Sequence, residues 1–293
     1  MGFYLPYPVF DTHFHALHMK HEGVDLDKIL LRSFNDNLVV ALDVATNEKH
    51  FSWRCKLAKR FVNLYLSAGI HPSSLGQNWP TPAAEFQHRN AMPYAIVDDK
   101  KTDWDSRFEK IRAQCIHPAV VAIGETGLDF YRNYSPREHQ ELAFRYHLEL
   151  AAETGLPVIV HNRNADERLL DIVGKVACNH GVLHCFSSNW ETAKAALDLG
   201  YYISFAGNLS YGNADEIRRA ALLIPRDRLL IETDSPYLSP VPMRGKANHP
   251  GHIGYTLKTL AELRKEDMEK LAESLVENAF MLFGLPGGEV GND

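Results

Sequence analysis

The stretch Val9-Phe10-Asp11-Thr12-His13-Phe14-His15 begins apolar and ends in two histidines one residue apart. A β-strand alternates its side chains with period two, so His13 and His15 of such a strand share a face and reach a single cation together. Four more runs are built alike: Val120-Val121-Ala122-Ile123-Gly124-Glu125, Val158-Ile159-Val160-His161, Val182-Leu183-His184 and Leu229-Leu230-Ile231-Glu232-Thr233-Asp234. Short continuous apolar runs mark parallel strands buried on both faces. In a (β/α)8 barrel the residues at the carboxyl ends of such strands line one mouth.

Working outward, strand-like runs fall near 8–13, 38–45, 63–70, 120–125, 157–161, 181–185, 201–206 and 229–234, with helical patterns between most of them. Eight strands alternating with helices predict an α/β fold, a (β/α)8 TIM-type barrel. No repeat, low-complexity tract or flexible linker interrupts residues 1–293, so a single domain is expected. Ser135 as N-cap, Pro136 at the first helical position and Glu138 completing a capping box predict a helix that Gly155 ends. Ser188 and Glu191 form a second capping box, for a helix stopped by Gly200. Met268, Leu271, Leu275, Ala279 and Leu282 repeat at helical spacing before Gly284. The third connection, near 72–119, is a long insertion that carries Trp79, Pro80, Pro82 and Pro93 and a polar helix candidate around 103–116. It is expected to form a wall or lid over the mouth.

Hydrophobic residues make up 45% of the chain and charged residues 23%, which excludes disordered and fibrous classes. No apolar stretch approaches the ~20 residues of a bilayer span, and residues 1–6 lack the basic and apolar segments of a secretory signal. Cys55, Cys115, Cys178 and Cys185 form no C-x-x-C pair, against a zinc ribbon or disulfide framework. A cytoplasmic protein without a membrane partner is the expectation. Cys185 should turn away from its neighbour His184 and pack as a small hydrophobe. A net charge of −6 speaks against a broad basic surface. A phosphodiester substrate stays open, because bound cations would make a mouth lined by Glu125 and Asp234 attractive to phosphate.

Of the 15 histidines, His18, His21, His50, His88, His139, His147 and His180 fall in loops or helical patterns and read as surface residues. His13, His15, His161 and His184 instead end strands, as do Glu125 and Asp234. A buried carboxylate requires a cation or hydrogen-bond donors, and imidazole with carboxylate suits zinc, manganese or magnesium. Six ligands exceed a tetrahedral set, so two divalent metal ions about 3.5–4 Å apart are expected, bridged by Glu125. One ion takes His13, His15, Glu125 and Asp234; the other takes Glu125, His161 and His184. Asp234 is then placed to act as general base on an activated water.

The phrases Asp11-Thr12-His13-Phe14-His15, Gly69-Ile70-His71-Pro72, Ile123-Gly124-Glu125-Thr126-Gly127-Leu128-Asp129, His161-Asn162-Arg163, His184-Cys185-Phe186-Ser187 and Glu232-Thr233-Asp234-Ser235-Pro236-Tyr237-Leu238 together resemble the TatD family of metal-dependent deoxyribonucleases, from about residue 9 to residue 285. The resemblance implies a TIM-type barrel, two divalent ions and hydrolysis of DNA phosphodiesters, often as a 3′-5′ exonuclease. It further implies that Arg163, Arg244 and Asn248 face substrate phosphates, a task that suits the planar guanidinium fork. His71, at the end of the third strand, is expected to contact substrate or support a ligand. The long third connection departs from the family pattern, as does Asn164, where an acidic residue is frequent. Both departures bear on substrate choice.

Three other readings stay open at this stage. A barrel hydrolase of small-molecule esters or amides often bridges its metals with a carboxylated lysine at the fourth strand, where this chain has Glu125. Deacylation of an aminoacyl-tRNA is a closer variant. A metal-stabilised scaffold without turnover is the third.

Overall fold

A computed structural model describes residues 2–76 and 103–286. Its strands are β1 (Val9–Phe14), β2 (Leu38–Asp43), β3 (Leu64–Ala68), β4 (Val120–Asp129), β5 (Val158–Arg163), β6 (Gly181–Leu183), β7 (Tyr202–Phe205) and β8 (Leu229–Ile231). The helices are α1 (Ala16–His21), α2 (Leu26–Asp36), α3 (Phe51–Ala58), α4 (Asp103–Gln114), α5 (Arg137–Thr154), α6 (Asp166–Val176), α7 (Trp190–Asp198), α8 (Asp215–Leu223), α9 (Ile253–Arg264) and α10 (Met268–Phe283).

The strands pair in chain order, each parallel to the next. Between the ends of the sheet, Phe14 and Ser235 form a parallel bridge. There the His15 N–H donates to the Ser235 carbonyl at 2.8 Å and the Asp234 N–H to the His13 carbonyl at 2.9 Å. The Asp11 carboxylate adds to the closure by accepting from the Thr233 N–H at 2.9 Å and the Thr233 hydroxyl at 2.7 Å. The TIM-type barrel read from the alternation of runs is the fold.

Side chains alternate about the sheet. Phe10, Val40, Leu42, Val121, Ile159, Val182 and Leu230 fill the inside, and Val276, Ala279, Leu282 and Phe283 of α10 pack into the same cluster. A larger apolar layer joins the outer face of the sheet to the surrounding helices. Each fully buried Leu, Val or Phe contributes about 1.5–3 kcal/mol, so the layers on both faces hold the strand ends rigidly enough to position a site.

Two helix starts differ from the sequence reading by one residue. Pro136 has ψ 143° and is the N-cap of α5, so the helix begins at Arg137, and no side chain caps it. The Ser135–Glu138 box is therefore absent; Ser135 is buried and its carbonyl accepts from the Gln140 amide at 2.8 Å. Asn189 caps α7, accepting from the Thr192 N–H at 2.9 Å, while the Ser188 hydroxyl donates to Asp166 at 2.7 Å. Gly155 (φ 74°) and Gly284 (φ 60°) end α5 and α10 as expected. His139 and His147 are also corrected, from surface to buried, because α5 turns them toward the sheet. Of the long third connection, α4 is the expected polar helix. The lid reading of residues 77–102 and the reading of His88 lie outside the described residues. Among those described, no helix is long and apolar enough to cross a membrane.

Candidate metal centre

Glu125 sits inside β4 between two glycines that no other residue could replace. Gly124 and Gly127 both have φ +133°, and a Cβ on Gly127 would lie 2.0 Å from the His161 carbonyl oxygen. The pairing of β4 with β5 slips between Ile123 and Thr126, where the Glu125 side chain turns into the mouth.

That carboxylate is 2% exposed. Its Oε1 lies 2.8 Å from His184 Nε2, 2.9 Å from His161 Nδ1 and 3.4 Å from His71 Nε2. Its Oε2 lies 3.5 Å from His13 Nε2 and 3.6 Å from His15 Nε2. Asp234 Oδ1 stands 3.5 Å from His15 Nε2 and 3.8 Å from His13 Nε2. The two Nε2 atoms of His13 and His15 are 3.2 Å apart, and the His13 ring stacks on His184 with centroids 4.0 Å apart.

Neighbouring residues fix these rings. His15 Nδ1 faces the Val44 carbonyl at 3.0 Å. The following Ala16 N–H donates to Asp43 at 2.9 Å, and Arg54 Nε holds the other oxygen of Asp43 at 2.8 Å. His184 Nδ1 faces Glu232 Oε1 at 3.1 Å. His161 Nε2 points at Asp129 Oδ2, 3.5 Å away, and Asp129 is oriented by the N–H groups of Tyr131 and Arg132. Asp234 is held in the left-handed region at φ 52°, uncommon for a residue with a side chain.

Burial opposes charge on Glu125, yet His71, His184 and the hydrogen bonds from His13 and His161 outweigh it and hold the carboxyl well below its usual range. Burial likewise opposes charge on Asp234, but His15 and His13 bring its carboxyl below the ordinary value. On His184, burial is outweighed by Glu125 and Glu232, and the imidazole is raised well above its usual value.

These atoms suit a divalent cation. With Nδ1 of His15 facing the Val44 carbonyl and Nδ1 of His184 facing Glu232, the Nε2 of each ring is directed at a Glu125 oxygen, where a bound cation would replace the proton. These contacts of 2.8–3.6 Å are satisfied either by protons on the imidazoles or by a cation shared between ring nitrogen and carboxylate oxygen. Three overlapping ligand sets meet that geometry: His13, Glu125 and His184; His13, His15 and Asp234; His71, Glu125 and His161. A family profile described as TatD related DNase matches residues 10–284.

The chain belongs to the TatD family. It is 36% identical over 277 residues to the Escherichia coli protein named metal-dependent hydrolase YcfH, covering 93% of this chain and 94% of that one. It is 34% identical over 268 residues to the Shigella flexneri protein named 3′-5′ ssDNA/RNA exonuclease TatD, covering 89% and 94%. The crystal structure of the TatD homologue YjjV from Escherichia coli superposes with a TM-score of 0.79 at 26% identity, over 95% of this chain and 98% of that one.

Within this TatD barrel, the six residues expected to bind metal converge, and His71 joins them at the same range from Glu125. The sequence places His71 at the end of the third strand as a substrate contact or a support for a ligand; β3 in fact ends at Ala68, and His71 follows three residues later. Arg163 ends β5 with its guanidinium over the exposed Tyr131 ring, 4.2 Å from the centroid. Arg244 is exposed and lies over Tyr211 at 4.1 Å. Asn248 corrects the expectation of a phosphate contact: it is fully buried, and its amide donates to the carbonyls of Thr233 at 2.8 Å and Tyr237 at 2.7 Å. Its oxygen accepts from the His249 N–H and faces His252 Nδ1, each at 3.0 Å, so no polar atom is left for a ligand. Glu232 and Asp129 orient His184 and His161, roles that sequence reasoning misses, although both stand at strand ends.

Proposed function

We propose that the mouth holds two divalent ions and hydrolyses phosphodiester bonds of single-stranded nucleic acid, DNA above all, from the 3′ end. The observation that carries this reading is the opposed orientation of the two Glu125 oxygens, one toward His161 and His184 and the other toward His13 and His15. His13, His15, Glu125 and Asp234 would hold one ion, and Glu125, His161 and His184, with His71 alongside, the other. Zinc, manganese and magnesium all suit this donor set. When bound, such ions supply Lewis acidity and make water more acidic near neutral pH.

Asp234 is ionised at neutral pH and accepts the proton of the attacking water at Oδ1. The water oxygen bonds to phosphorus as the bond from phosphorus to the neighbouring 3′ oxygen breaks, and the leaving oxygen takes up a proton from Asp234 or solvent, giving a 3′-hydroxyl and a 5′-phosphate. Glu232 and Asp129 keep the imidazoles of His184 and His161 in orientation throughout. Around the mouth, Tyr131 with Arg163, Tyr211 with Arg244, and the exposed Tyr237 offer aromatic faces and cations of the kind that hold an unpaired strand by stacking and phosphate contact. The name of the Shigella relative supports the same substrate class.

The test is a nuclease assay on end-labelled single-stranded and duplex DNA, with magnesium, manganese or zinc restored after chelation. Metal-dependent shortening of the single strand with release of mononucleotides is expected. Intact DNA with all three metals, in protein that has rebound them, would overturn the reading.

A further inference from the structure

Beside the mouth, and sharing none of its ligand residues, lies a second cavity of about 640 Å3. One wall is the face of α2 that carries Asp25, Lys28, Ile29 and Arg32, residues spaced three and four apart as on a single helix face. The facing wall is the loop Lys246–Ala247, and His249 and His252 also line it. At the rim Gly23 (φ +75°) presents open space where a side chain would stand.

Its lining carries three cations and two acids. Among the described residues, neither Lys28 nor Lys246 is in an ion pair. Lys246 has its backbone pinned, the carbonyl accepting from the Ser239 hydroxyl, while its side chain is exposed. Arg32 lies over the Phe3 ring at 3.9 Å and forms an exposed ion pair with Asp36 at 3.5 Å. Of the two acids on the lining, Asp25 is occupied in capping α2, accepting from the Lys28 N–H at 3.2 Å, and Glu22 is the other. His249 is 4% exposed, and neither of its ring nitrogens has a partner among the described residues. Burial, with His252 and Arg32 nearby, pushes this imidazole down to about 3, so it is neutral at pH 7 and adds no charge of its own.

We propose that this cavity binds a phosphate group, either as the free ion or on a mononucleotide, through Lys28, Arg32 and Lys246. Three cations from two elements line a space within the usual range for small-molecule sites, and the volume admits a nucleoside monophosphate. The proposal is independent of the phosphodiester reading, since it uses no residue of the metal centre.

Isothermal titration of the purified full chain with inorganic phosphate, dAMP and adenosine tests it, in the wild type and in Lys28→Glu and Lys246→Glu, surface changes that leave the core intact. Saturable binding of phosphate or dAMP that weakens about tenfold or more in each variant supports the site. Tighter binding of dAMP than of phosphate assigns the nucleotide; equal binding assigns the free ion. Adenosine binding as well as dAMP, binding unchanged in both variants, or no binding at millimolar ligand would overturn the proposal. An inactive nuclease would leave these outcomes untouched.

Discussion

Oε1 of Glu125 lies 2.8 Å from Nε2 of His184, whose other ring nitrogen faces Glu232 at 3.1 Å. An imidazole held between two carboxylates must itself be charged or share a cation with one of them. The same carboxylate presents its second oxygen to His13 and His15, so the demand is repeated on the opposite side. This arrangement is what supports the proposal that Glu125 bridges two ions.

Asp234 is 13% exposed, ionised, and 3.5 Å from His15. Asp234→Asn should lower kcat about a hundred- to ten-thousand-fold while leaving DNA binding within a few-fold, because the amide keeps the shape but takes no proton. Single-turnover kinetics alongside a binding titration separate the two; equal losses would remove its role as base.

Tyr237 is 48% exposed, follows Asp234 by three residues, and its hydroxyl lies 3.1 Å from His18. Tyr237→Ala should raise KM for single-stranded oligonucleotides about tenfold with little change in kcat, the signature of a lost stacking face. Steady-state kinetics on an oligonucleotide series would show it.

Much of this centre was legible because a strand buried on both faces has little choice of composition. Val158-Ile159-Val160 can only be interior, and the histidine that follows is where the chain meets the mouth. What stayed hidden depends on partners far along the chain. Ser188 and Asn189 are equally good caps in sequence, and the choice is made by Asp166, which takes the Ser188 hydroxyl. Asn248 reads as a loop residue four positions after Arg244, yet it is drawn inside by carbonyls 11 and 15 positions away. His147 lies on a helix without an obvious apolar role until Ile70, 77 positions earlier, offers its N–H.

Because Asn248 joins the carbonyl just before Asp234 to the loop after β8, its removal strands several buried groups. Asn248→Ala should cost about 3 kcal/mol of stability and lower activity through Asp234. Urea denaturation would register this as a reduced midpoint with an unchanged slope, and an unchanged midpoint would contradict the latch.

His147 is fully buried, accepts from the Ile70 N–H at 3.1 Å and faces the Ala143 carbonyl through Nδ1, and burial lowers it to about 4. The unfolded chain takes up this proton near pH 6.5 and the folded chain only near pH 4, so the unfolded state holds more protons in between. The contribution is therefore complete above pH 6.5 and is lost as pH falls toward 4. His147→Gln should flatten the fall in melting temperature over that window, and parallel wild-type and variant curves would refute the assignment.

The most direct test of the bridge is the number of divalent ions per chain, measured by elemental analysis of purified wild type and Glu125→Ala, with circular dichroism to verify the fold. The account predicts two ions in the wild type and one or none in the variant. Two ions retained without the Glu125 carboxylate would contradict it.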